Sequence, residues 1–454
     1  MTIADPVLPA PPDHPVGGLT AAREITRNQI DFFTSTVTPE SDVVRVVLGA
    51  GPLSKHLYVC HSPTAVEEVL SAKTFAHYSK EGQRFYQQIQ VALGDGILTA
   101  WGDEWLRQKR FIQPVFTRTR VESYTDEMVD AADELVDRWR DGGTVDLGAG
   151  LTHLTLRVVT RALFGTDAGP LEAAVARWFP ALNRSIVTRV ALPVPVPLAV
   201  PFKFNREFKG ARDALQQVCS DLIARRRTAG AGGDDLASLL IAARDGDAHM
   251  TDEEVRDQVL IFLLAGHETT STALTFTLHL LGRHPEAQER VRAEVADVLG
   301  DARPTAASLQ ALPYTTAVLK EAMRLYPSAP FTGRLTAEDS NIGGYAVPAG
   351  SDVVLSVWTI HRRPDLWPDP LAFDPDRFLG DERRNRYAWV PFGAGPRACI
   401  GQHFSMLESA ATLTQLVRAF DFSAPAGTSD HLPVGSGITL YPLEPVLSEV
   451  TPRG

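Results

Sequence analysis

Apolar residues recur at helical spacing over about half of the chain, from about residue 62 to residue 280. The strongest amphipathic stretches lie at 121–140, 209–227 and 251–283. Before them, Asp42–Cys60 alternates apolar and polar positions around a Gly-Pro pair, which is typical of two strands joined by a turn. The pattern therefore predicts a hairpin followed by a long helical region.

Proline and glycine interrupt the helical region twice, and the pattern changes near its end. Residues 191–202 are apolar and punctuated by prolines, so they form either a mobile lid or an irregular surface turn, whereas residues 225–235 predict a flexible polar turn. Gly343–Trp358 is typical of short strands around a Pro-Ala-Gly turn, and roughly the last 30 residues predict another hairpin. Because most helices precede most strands, the fold class is mainly α with a smaller β part.

Composition places the chain among globular proteins. Its 454 residues are 44% apolar and 22% charged, so we expect a single domain over residues 1–454 with an extended, proline-rich leader at 1–20. A net charge of −11 disfavours nucleic acids and anionic membranes as partners. The first residues lack the basic and apolar regions of a signal peptide, and no run of 18 apolar residues predicts a membrane span.

The chain has three cysteines, Cys60, Cys219 and Cys399. They are too few and too widely spaced for a disulfide framework or a zinc site, and they suit a reducing compartment. We therefore expect a cytoplasmic protein. Cys60 and Cys219 are interpreted as ordinary core or surface thiols, so any cysteine chemistry depends on Cys399.

The stretch Phe392–Gly401 reads FGAGPRACIG and concentrates glycine around a single cysteine. Glycines allow tight turns and a close approach to a flat ligand, and Arg397 offers a fork of donors suited to a carboxylate. The next segment is a predicted helix, so Cys399 would lie at a helix N-terminus, where free amides favour a thiolate. A lone cysteine is more often an inert buried thiol. Here the surroundings are those that haem iron requires of a thiolate ligand.

The same stretch resembles the haem-binding signature of the cytochrome P450 family. The resemblance implies a triangular prism of helices with a smaller β subdomain, enclosing haem b (iron protoporphyrin IX) with Cys399 as the iron ligand. It also implies insertion of one atom of dioxygen into a hydrophobic small molecule. The matching positions are Phe392, Gly393, Gly395, Arg397, Cys399 and Gly401.

A second motif places Glu321 and Arg324 one helical turn apart, where they can pair. By themselves they predict no more than a solvated ion pair of little energetic value. They resemble the family's Glu-x-x-Arg pair, which a later arginine joins, and Arg377 in FDPDRF is at the matching position. The resemblance implies that the three residues stabilise the core behind the haem and take no part in the chemistry.

A third motif lies in a helix whose start, at 251–254, has the pattern of a capping box. Its middle reads LLAGHETTST, and polar groups inside an apolar helix are costly unless they are used. Threonines that bond back to the helix and kink it are the alternative. The stretch resembles the family's dioxygen-activation motif, with Ala265 against the haem. The resemblance implies that Thr269 hydrogen-bonds dioxygen, that Glu268 relays protons, and that Gly266 makes room for dioxygen.

Haem carboxylates need cations, and three segments match the family's propionate-binding positions. In GDEWLRQKR, Trp105 and Lys109 match a tryptophan followed four residues later by a cation, with the adjacent Arg110 as the alternative to Lys109. Arg334, in FTGRLTAED, matches another propionate ligand, and Arg397 is the third.

The resemblance also places substrate contacts on mostly apolar or small residues. Such a wall favours a hydrophobic molecule of small to medium size, for example a terpenoid, a fatty acid or a polyketide. The predicted contacts are Ile97, Leu98, Trp101, Phe262, Ala265, Ala329, Phe331 and Ile438.

Electrons are expected to come from a separate protein, because only about 50 residues follow Cys399. A cluster of cations in an otherwise acidic chain predicts a docking patch for an acidic ferredoxin or flavodoxin, and a solvated basic face is the alternative. The cluster consists of Arg107, Lys109, Arg110, Arg118 and Arg120.

Other functions stay open on the sequence. One is a peroxide-driven peroxygenase or a haem isomerase, another is a haem-based gas sensor or carrier, and a third is a structural protein without cofactor. The Glu268–Thr269 pair disfavours the first two, because neither needs a proton relay for dioxygen.

Overall fold

The computed structural model describes residues 8–37, 41–49, 51, 54–165, 169–191, 196–229, 233–380, 384–429 and 431–453. Within these ranges the α-helices are α1 (Gly18–Arg27), α2 (Gln29–Ser35), α3 (Pro63–Leu70), α4 (Arg84–Leu93), α5 (Gly102–Ile112), α6 (Arg118–Glu122), α7 (Thr125–Trp139), α8 (Leu147–Phe164), α9 (Gly169–Ala191), α10 (Lys203–Ala229), α11 (Leu236–Ala242), α12 (Asp252–Leu281), α13 (Pro285–Leu299), α14 (Ala306–Gln310), α15 (Pro313–Leu325), α16 (Val357–Ile360) and α17 (Gln402–Ala419). The β-strands are β1 (Val43–Leu48), β2 (Lys55–Cys60), β3 (Tyr78–Ser79), β4 (Gly143–Asp146), β5 (Arg244–Asp245), β6 (Ala248–His249), β7 (Phe331–Thr336), β8 (Ser340–Ile342), β9 (Tyr345–Val347), β10 (Asp352–Ser356), β11 (Phe420–Ser423), β12 (Val434–Ser436), β13 (Leu440–Pro442) and β14 (Leu447–Pro452).

The largest sheet has five strands in the order β1-β2-β10-β7-β3. β1 and β2 form the predicted antiparallel hairpin, with Val43 opposite Cys60, and the turn residues 50 and 52–53 lie outside the described residues. β2 runs parallel to β10, which pairs antiparallel with β7. Because Arg334 lies in β7, this sheet positions one of the predicted haem cations.

The other strands form a three-stranded sheet, β11-β14-β4, and the hairpins β5–β6, β8–β9 and β12–β13. The predicted hairpin near the C-terminus is β12–β13, whereas β14 pairs with β11 and β4. β9 and β10 flank the Pro-Ala-Gly turn as predicted. The mainly helical fold class with a smaller β part is confirmed.

α12 is the central helix of the body. Thr251 and Glu254 form the predicted capping box, in which each side chain bonds the backbone N–H of the other residue. The helix is largely buried and packs against α8, α10, α15 and α17. Among the described residues it is the one helix long and apolar enough to cross a membrane, but 72% of its apolar window is buried inside the protein, as in a core helix.

α10 is longer than the pattern predicted. It continues to Ala229, so the first part of the predicted 225–235 turn is helical, while residues 230–232 lie outside the described residues. Arg226 and Arg227, in its last turn, pair with acidic residues that follow in the chain. Cations at the C-terminal end of a helix interact favourably with its dipole, which extends α10 beyond the expected boundary.

Two segments outside the regular elements bear on the predictions. Residues 8–17 run beside β1, where the N–H of Arg45 donates to the carbonyl of Pro12 at 2.9 Å. Residues 196–202, between α9 and α10, are not helical, and residues 192–195 lie outside the described residues.

Candidate active site

The cysteine loop, between residue 391 and α17, is closed by its own backbone. The N–H of Cys399 donates to the carbonyl of Phe392 at 2.8 Å. Gly393 and Gly395 have φ angles of 68° and 66°, in the left-handed region that favours glycine. A Cβ at Gly395 would lie 1.7 Å from the carbonyl oxygen of Leu70, so this glycine lets the loop pack directly against α3.

Cys399 lies three residues before α17, not in its first turn, which corrects the predicted position. The residue has accessible surface, although protein atoms surround it densely. Burial raises the pKa of the Cys399 thiol, and the backbone N–H of Gly401, which donates to the sulfur, lowers it. A loop amide therefore supplies the stabilisation of a thiolate that we expected from the helix N-terminus.

Two of the predicted cations lie near each other, Arg334 buried and Arg397 half-buried. The Arg397 guanidinium carbon lies 4.6 Å from the ring centroid of Trp101 and 4.5 Å from that of Trp105. Arg334 is 5% exposed and donates to a carbonyl of its own strand at 2.7 Å. Burial, and then the positive charge of Arg334, lower the pKa of Arg397 to about 9.

Lys109, and not Arg110, is directed towards the cysteine loop. Its Nζ donates to the carbonyl of Pro396 at 3.2 Å and lies 4.9 Å from the Trp105 ring centroid. Arg110 pairs with Asp245 at 2.6 Å and has a side chain that is 59% exposed. The geometry therefore favours Lys109 as the propionate-binding cation.

Two residues that no motif predicted join these cations. Lys80 is buried, with its Nζ 4.1 Å from the ring centroid of Tyr86 and 3.4 Å from the carbonyl oxygen of Leu98. Burial lowers the pKa of Lys80 to about 7, and the charges of Arg334 and Arg397 add to the effect. Burial raises the pKa of Tyr86, but Lys80 and Arg334 together lower it to about 7. Lys80 lies in the loop before α4 and Tyr86 lies in the first turn of α4, and neither carries a spacing signal that sequence reasoning could have used.

The buried Lys80 and Arg334 and the half-buried Arg397 form a cluster of positive charge that suits an anion. No aspartate or glutamate of the described residues contributes to the pKa shifts of Lys80, Arg334 or Arg397. The Nε of Arg397 is buried without a hydrogen-bond partner. An unpaired buried charge costs on the order of several kcal/mol. A flat apolar group with two carboxylates and a thiolate-binding iron matches these donors and Cys399, so the residues fit haem b.

Arg324 and Glu321 form a bidentate ion pair within α15 that has no solvent exposure, with both N–O distances at 2.7 Å. Arg377 lies 3.4 Å from the same carboxylate. Arg324 also donates to the carbonyls of His361 and Pro370. The structure therefore brings the three predicted structural residues together, and they tie α15 to the segment that precedes the cysteine loop.

One face of α12 is accessible in the middle of the helix, whereas the turns before and after it are buried. Ala265 is exposed, and Thr269, one turn later, is half-buried and donates to the carbonyl of Ala265. A Cβ at Gly266 would lie 2.8 Å from Cγ2 of Val159 in α8, and the expected room for dioxygen beside this glycine stays a prediction. This glycine lets α12 and α8 pack closely, and the open face belongs to Ala265 and Thr269.

Glu268 is held between α9 and the tip of the β12–β13 hairpin. Its Oε1 accepts a 2.7 Å hydrogen bond from Nδ2 of Asn183, and its Oε2 accepts a 3.1 Å bond from the hydroxyl of Thr439. Burial raises the pKa of Glu268, and the two donors lower it. Neither bond runs to Thr269, so the two residues of the predicted relay point to different partners.

Several predicted substrate contacts are apolar and only partly buried. Ile97, Leu98 and Ile438 pack against the edge of the main core cluster. Phe262 is buried, with its ring 5.1 Å from that of Phe116. Ala329 is half-buried just before β7.

The other two predicted aromatic contacts have partners within the protein. The ring of Trp101 stacks on Phe75 at 5.0 Å and lies under Arg397, so its observed contacts are with the cation cluster. The ring of Phe331 lies 4.6 Å from that of Phe33 in α2.

The cations predicted as a docking patch do not form an unpaired basic surface. Four of the five are arginines that pair with acidic side chains, and the fifth, Lys109, faces the cysteine loop. Arg118 also lines a surface cleft of about 610 Å³ with His403, which lies in the first turn of α17. The ion pairs are Arg107–Glu254, Arg110–Asp245, Arg118–Glu122 and Arg120–Asp234.

Known proteins resemble the chain over nearly its whole length. The cytochrome P450 family model matches residues 9–447. Cyclooctat-9-en-7-ol 5-monooxygenase of Streptomyces melanosporofaciens is 33% identical over 425 residues, which cover 92% of this chain and 90% of the relative. Pentalenene oxygenase of Streptomyces avermitilis is 32% identical over 394 residues, which cover 85% of each.

A solved structure agrees with these relatives. The crystal structure of the cytochrome P450DA haem domain has a TM-score of 0.84 and 28% identity, and the match covers 98% of this chain and 97% of that one. The family model, the fold and the residues around Cys399 all indicate the same family. The chain belongs to the cytochrome P450 family and is a haem b monooxygenase.

Proposed function

We propose that the protein oxygenates a terpenoid, by hydroxylation or epoxidation. One observation carries the substrate class: two relatives that each align with at least 85% of this chain are named for the oxygenation of cyclooctat-9-en-7-ol and of pentalenene. The residues expected to contact substrate are apolar or small, which suits a ring hydrocarbon or its alcohol. A fatty acid or a polyketide is the alternative that the experiment below separates.

Cys399 is the proposed iron ligand, as a thiolate. The N–H of Gly401 donates to its sulfur and supports the charged form against burial. When bound, haem with a thiolate ligand supplies the oxidising chemistry, because the thiolate favours cleavage of the O–O bond.

Four cations are proposed to hold the two haem propionates. Arg334 is buried and Arg397 half-buried, and no acid of the described residues contributes to the pKa of either. Lys80 joins them, and Lys109 reaches the cysteine loop from α5. Trp105 supports both Arg397 and Lys109 through its ring faces. Together these side chains orient the group and exclude water from its carboxylate edge.

Thr269 and Glu268 are the proposed proton-handling residues. The Thr269 hydroxyl, on the open face of α12, can rotate away from the Ala265 carbonyl and donate into the cleft. Burial raises the pKa of Glu268, which favours the protonated form that a proton donor needs. A peroxygenase, a haem isomerase or a gas carrier would not need this pair.

A ferredoxin or flavodoxin-type protein is the proposed electron donor, and the surface cleft beside Arg118 and His403 is its proposed docking region. Because the arginines there are paired with acids, we expect modest salt dependence compared with an unpaired basic patch. A cytoplasmic location suits such donors and the free thiols of Cys60 and Cys219.

The substrate proposal is tested with the purified holoprotein, an acidic [2Fe–2S] ferredoxin, its reductase and NADPH. Cyclic terpene hydrocarbons, terpene alcohols and fatty acids are offered separately, and products are analysed by mass spectrometry under isotopically labelled dioxygen. Terpene products that carry one labelled oxygen are expected. Turnover of fatty acids alone, or turnover with hydrogen peroxide but not with the reductase system, contradicts the proposal.

The ligand proposal has its own test. Reduced wild-type protein with carbon monoxide should give the red-shifted Soret band of a thiolate ligand. Cys399→Ala should lose this band, whereas Cys219→Ala, which alters a buried thiol in α10, should keep it. A thiolate band in Cys399→Ala would refute the assignment.

A further inference from the structure

We propose that Asn183 and Thr439 are positioning residues that hold the Glu268 carboxyl and thereby control when it can deliver a proton. The inference rests on the proposed role of Glu268 in proton transfer. It adds two residues that belong to none of the family motifs quoted above.

The contact joins three elements that are far apart in the sequence. Asn183 lies in the second half of α9, Glu268 lies in the middle of α12, and Thr439 lies just before β13. Each carboxylate oxygen accepts one hydrogen bond, at 2.7 Å from Asn183 and at 3.1 Å from Thr439. Two donors on separate oxygens fix both the direction and the rotation of the carboxyl group.

The two donors come from surfaces that touch each other. A Cβ at Gly437, in the hairpin tip, would lie 3.0 Å from Cγ2 of Val187 and 3.8 Å from Oδ1 of Asn183. That Oδ1 is buried and accepts no hydrogen bond. The orientation of the amide is therefore set by its bond to Glu268, because the opposite orientation would bring two oxygens together. Any separation of α9 from the hairpin would break at least one bond to Glu268.

Within the part of the chain that the structure describes, no charged side chain contributes to the pKa of Glu268. Burial is the largest influence on its pKa and raises it, and only the two neutral donors oppose that effect. The titratable residues closest in sequence to Glu268, Asn183 and Thr439 on their own elements are His267, Arg184 and Tyr441, respectively. The His267 ring bonds the Leu263 carbonyl within α12, and Arg184 and Tyr441 are exposed. Loss of either donor must therefore shift Glu268 further towards its neutral form.

Both oxygens of the Glu268 carboxyl are occupied by hydrogen bonds, which limits when it can transfer a proton. While both donors are engaged, the carboxyl is bonded to α9 and to the hairpin, and the Thr269 hydroxyl is bonded to the Ala265 carbonyl. The carboxyl must leave at least one donor before it can deliver a proton on the pocket side. The position of α9 and of the hairpin therefore decides when Glu268 is free to act.

The experiment uses the full-length ferric holoprotein and the variants Asn183→Leu, Thr439→Val and Glu268→Gln. Thr272→Val is the matched control, because the Thr272 hydroxyl bonds the Leu440 carbonyl and so joins α12 to the same hairpin without touching Glu268. The first measurement is the pH titration of the infrared band of a protonated carboxyl, assigned to Glu268 by its loss in Glu268→Gln. The second is the fraction of NADPH electrons released as hydrogen peroxide, as a function of pH.

The expected result is specific to the two donors. Asn183→Leu and Thr439→Val should each move the midpoint of the carboxyl band about one pH unit towards alkaline values, because each removes one hydrogen bond to a charged acceptor. The pH profile of peroxide release should move in the same direction. Thr272→Val should leave the midpoint and the profile unchanged.

Two results would overturn the inference, and a third identifies a different failure. An unchanged midpoint in both donor variants, with the band still present, removes the positioning role. An equal shift in Thr272→Val assigns the effect to displacement of the hairpin and overturns the role of the individual donors. If the midpoint shifts as expected but Glu268→Gln keeps the wild-type peroxide profile, the proposed proton-handling role of Glu268 is wrong, and control of proton delivery falls with it.

Discussion

The hydroxyl of Thr269 donates a 2.6 Å hydrogen bond to the carbonyl of Ala265, one turn earlier on the open face of α12. Such a bond occupies the hydroxyl inside its own helix, and rotation about one side-chain bond releases it into the cleft. The same relationship occurs at Thr277, which donates to the carbonyl of Ala273 at 2.7 Å on a fully buried face. The two threonines therefore differ in surroundings and not in local geometry.

Thr269→Val removes the hydroxyl and keeps the shape of the side chain. Because a positioned proton donor contributes roughly 100-fold or more to a rate, product formation should fall by about that factor while NADPH is still consumed and released as peroxide. Product per NADPH measures the effect. Thr277→Val should leave this ratio close to that of the wild type, and a comparable loss there would show that the helix, and not the hydroxyl, is responsible.

Gly266→Ala should destabilise the protein because its Cβ would lie 2.8 Å from Val159. Overpacking of this kind costs about 1–3 kcal/mol, measured as a lower free energy of unfolding in urea. The double variant Gly266→Ala/Val159→Ala makes room for the added carbon and should recover part of that loss. If instead the single variant keeps its stability but loses coupling of NADPH to product, Gly266 serves dioxygen and not helix packing.

Glu321→Gln should cost about 3–5 kcal/mol of unfolding free energy, because it leaves the fully buried Arg324 without its charge partner. The comparison is Asp376→Asn, which breaks an ion pair with Arg290 whose side chains are 50% and 54% exposed. That pair should contribute less than about 1 kcal/mol. Chemical denaturation followed by circular dichroism measures both, and equal small losses would contradict the structural role of Glu321.

Because His61 is buried, its protonation should reduce the stability of the fold in mild acid. Its ring is fully buried between the hydroxyls of Thr36 and Thr359, and burial lowers its pKa to about 4. The unfolded chain, with a pKa near 6.5, binds the proton first, so this stability is present above pH 6.5 and is lost as the pH falls through 4. His61 should contribute about 2 kcal/mol to the difference in unfolding free energy between pH 7 and pH 5.

The control for this pH dependence is a histidine at the surface. His61→Gln should flatten the dependence between pH 7 and pH 5, whereas His77→Gln, at a side chain that is 49% exposed, should not. An unchanged slope in His61→Gln would mean that other groups cause the acid sensitivity.

Arg118→Glu should slow reduction of the haem protein by an acidic ferredoxin, because it reverses a charge beside the proposed docking cleft. The matched control is Arg140→Glu, since the two side chains are 68% and 66% exposed and each pairs with one acid on its own helix or at its end. Stopped-flow reduction rates at several salt concentrations measure the effect. Equal rates in the two variants would remove Arg118 from the docking region.

Much of the site was predictable because its motifs are local. The cysteine loop, the Glu321–Arg324 pair and the Glu268–Thr269 pair each lie within a few residues of chain, so their spacing alone determined which side chains share a turn or a helical face. The β1–β2 hairpin and the capping box of α12 were predictable for the same reason.

Other features depend on which elements pack together. Lys80 and Tyr86 reach the haem cations only because the start of α4 and the loop before it lie beside β7. The close contact at Gly266 likewise depends on α8 lying against α12. The arginines of the predicted basic patch are paired in the structure, because acids from distant segments, such as Asp245 and Asp234, lie beside them. Spacing along the chain contains no information on such neighbours.

The sequence by itself determined the iron-binding cysteine loop, the family and the reaction type, since these depend on residues close together in the chain. Tertiary structure alone decided that Lys109 and not Arg110 faces the cysteine loop, that a loop amide supports Cys399, and that Glu268 is held from α9 and from a hairpin about 170 residues away. The physical reason is that hydrogen bonds and buried charges act through space, whereas periodicity and motifs act along the chain.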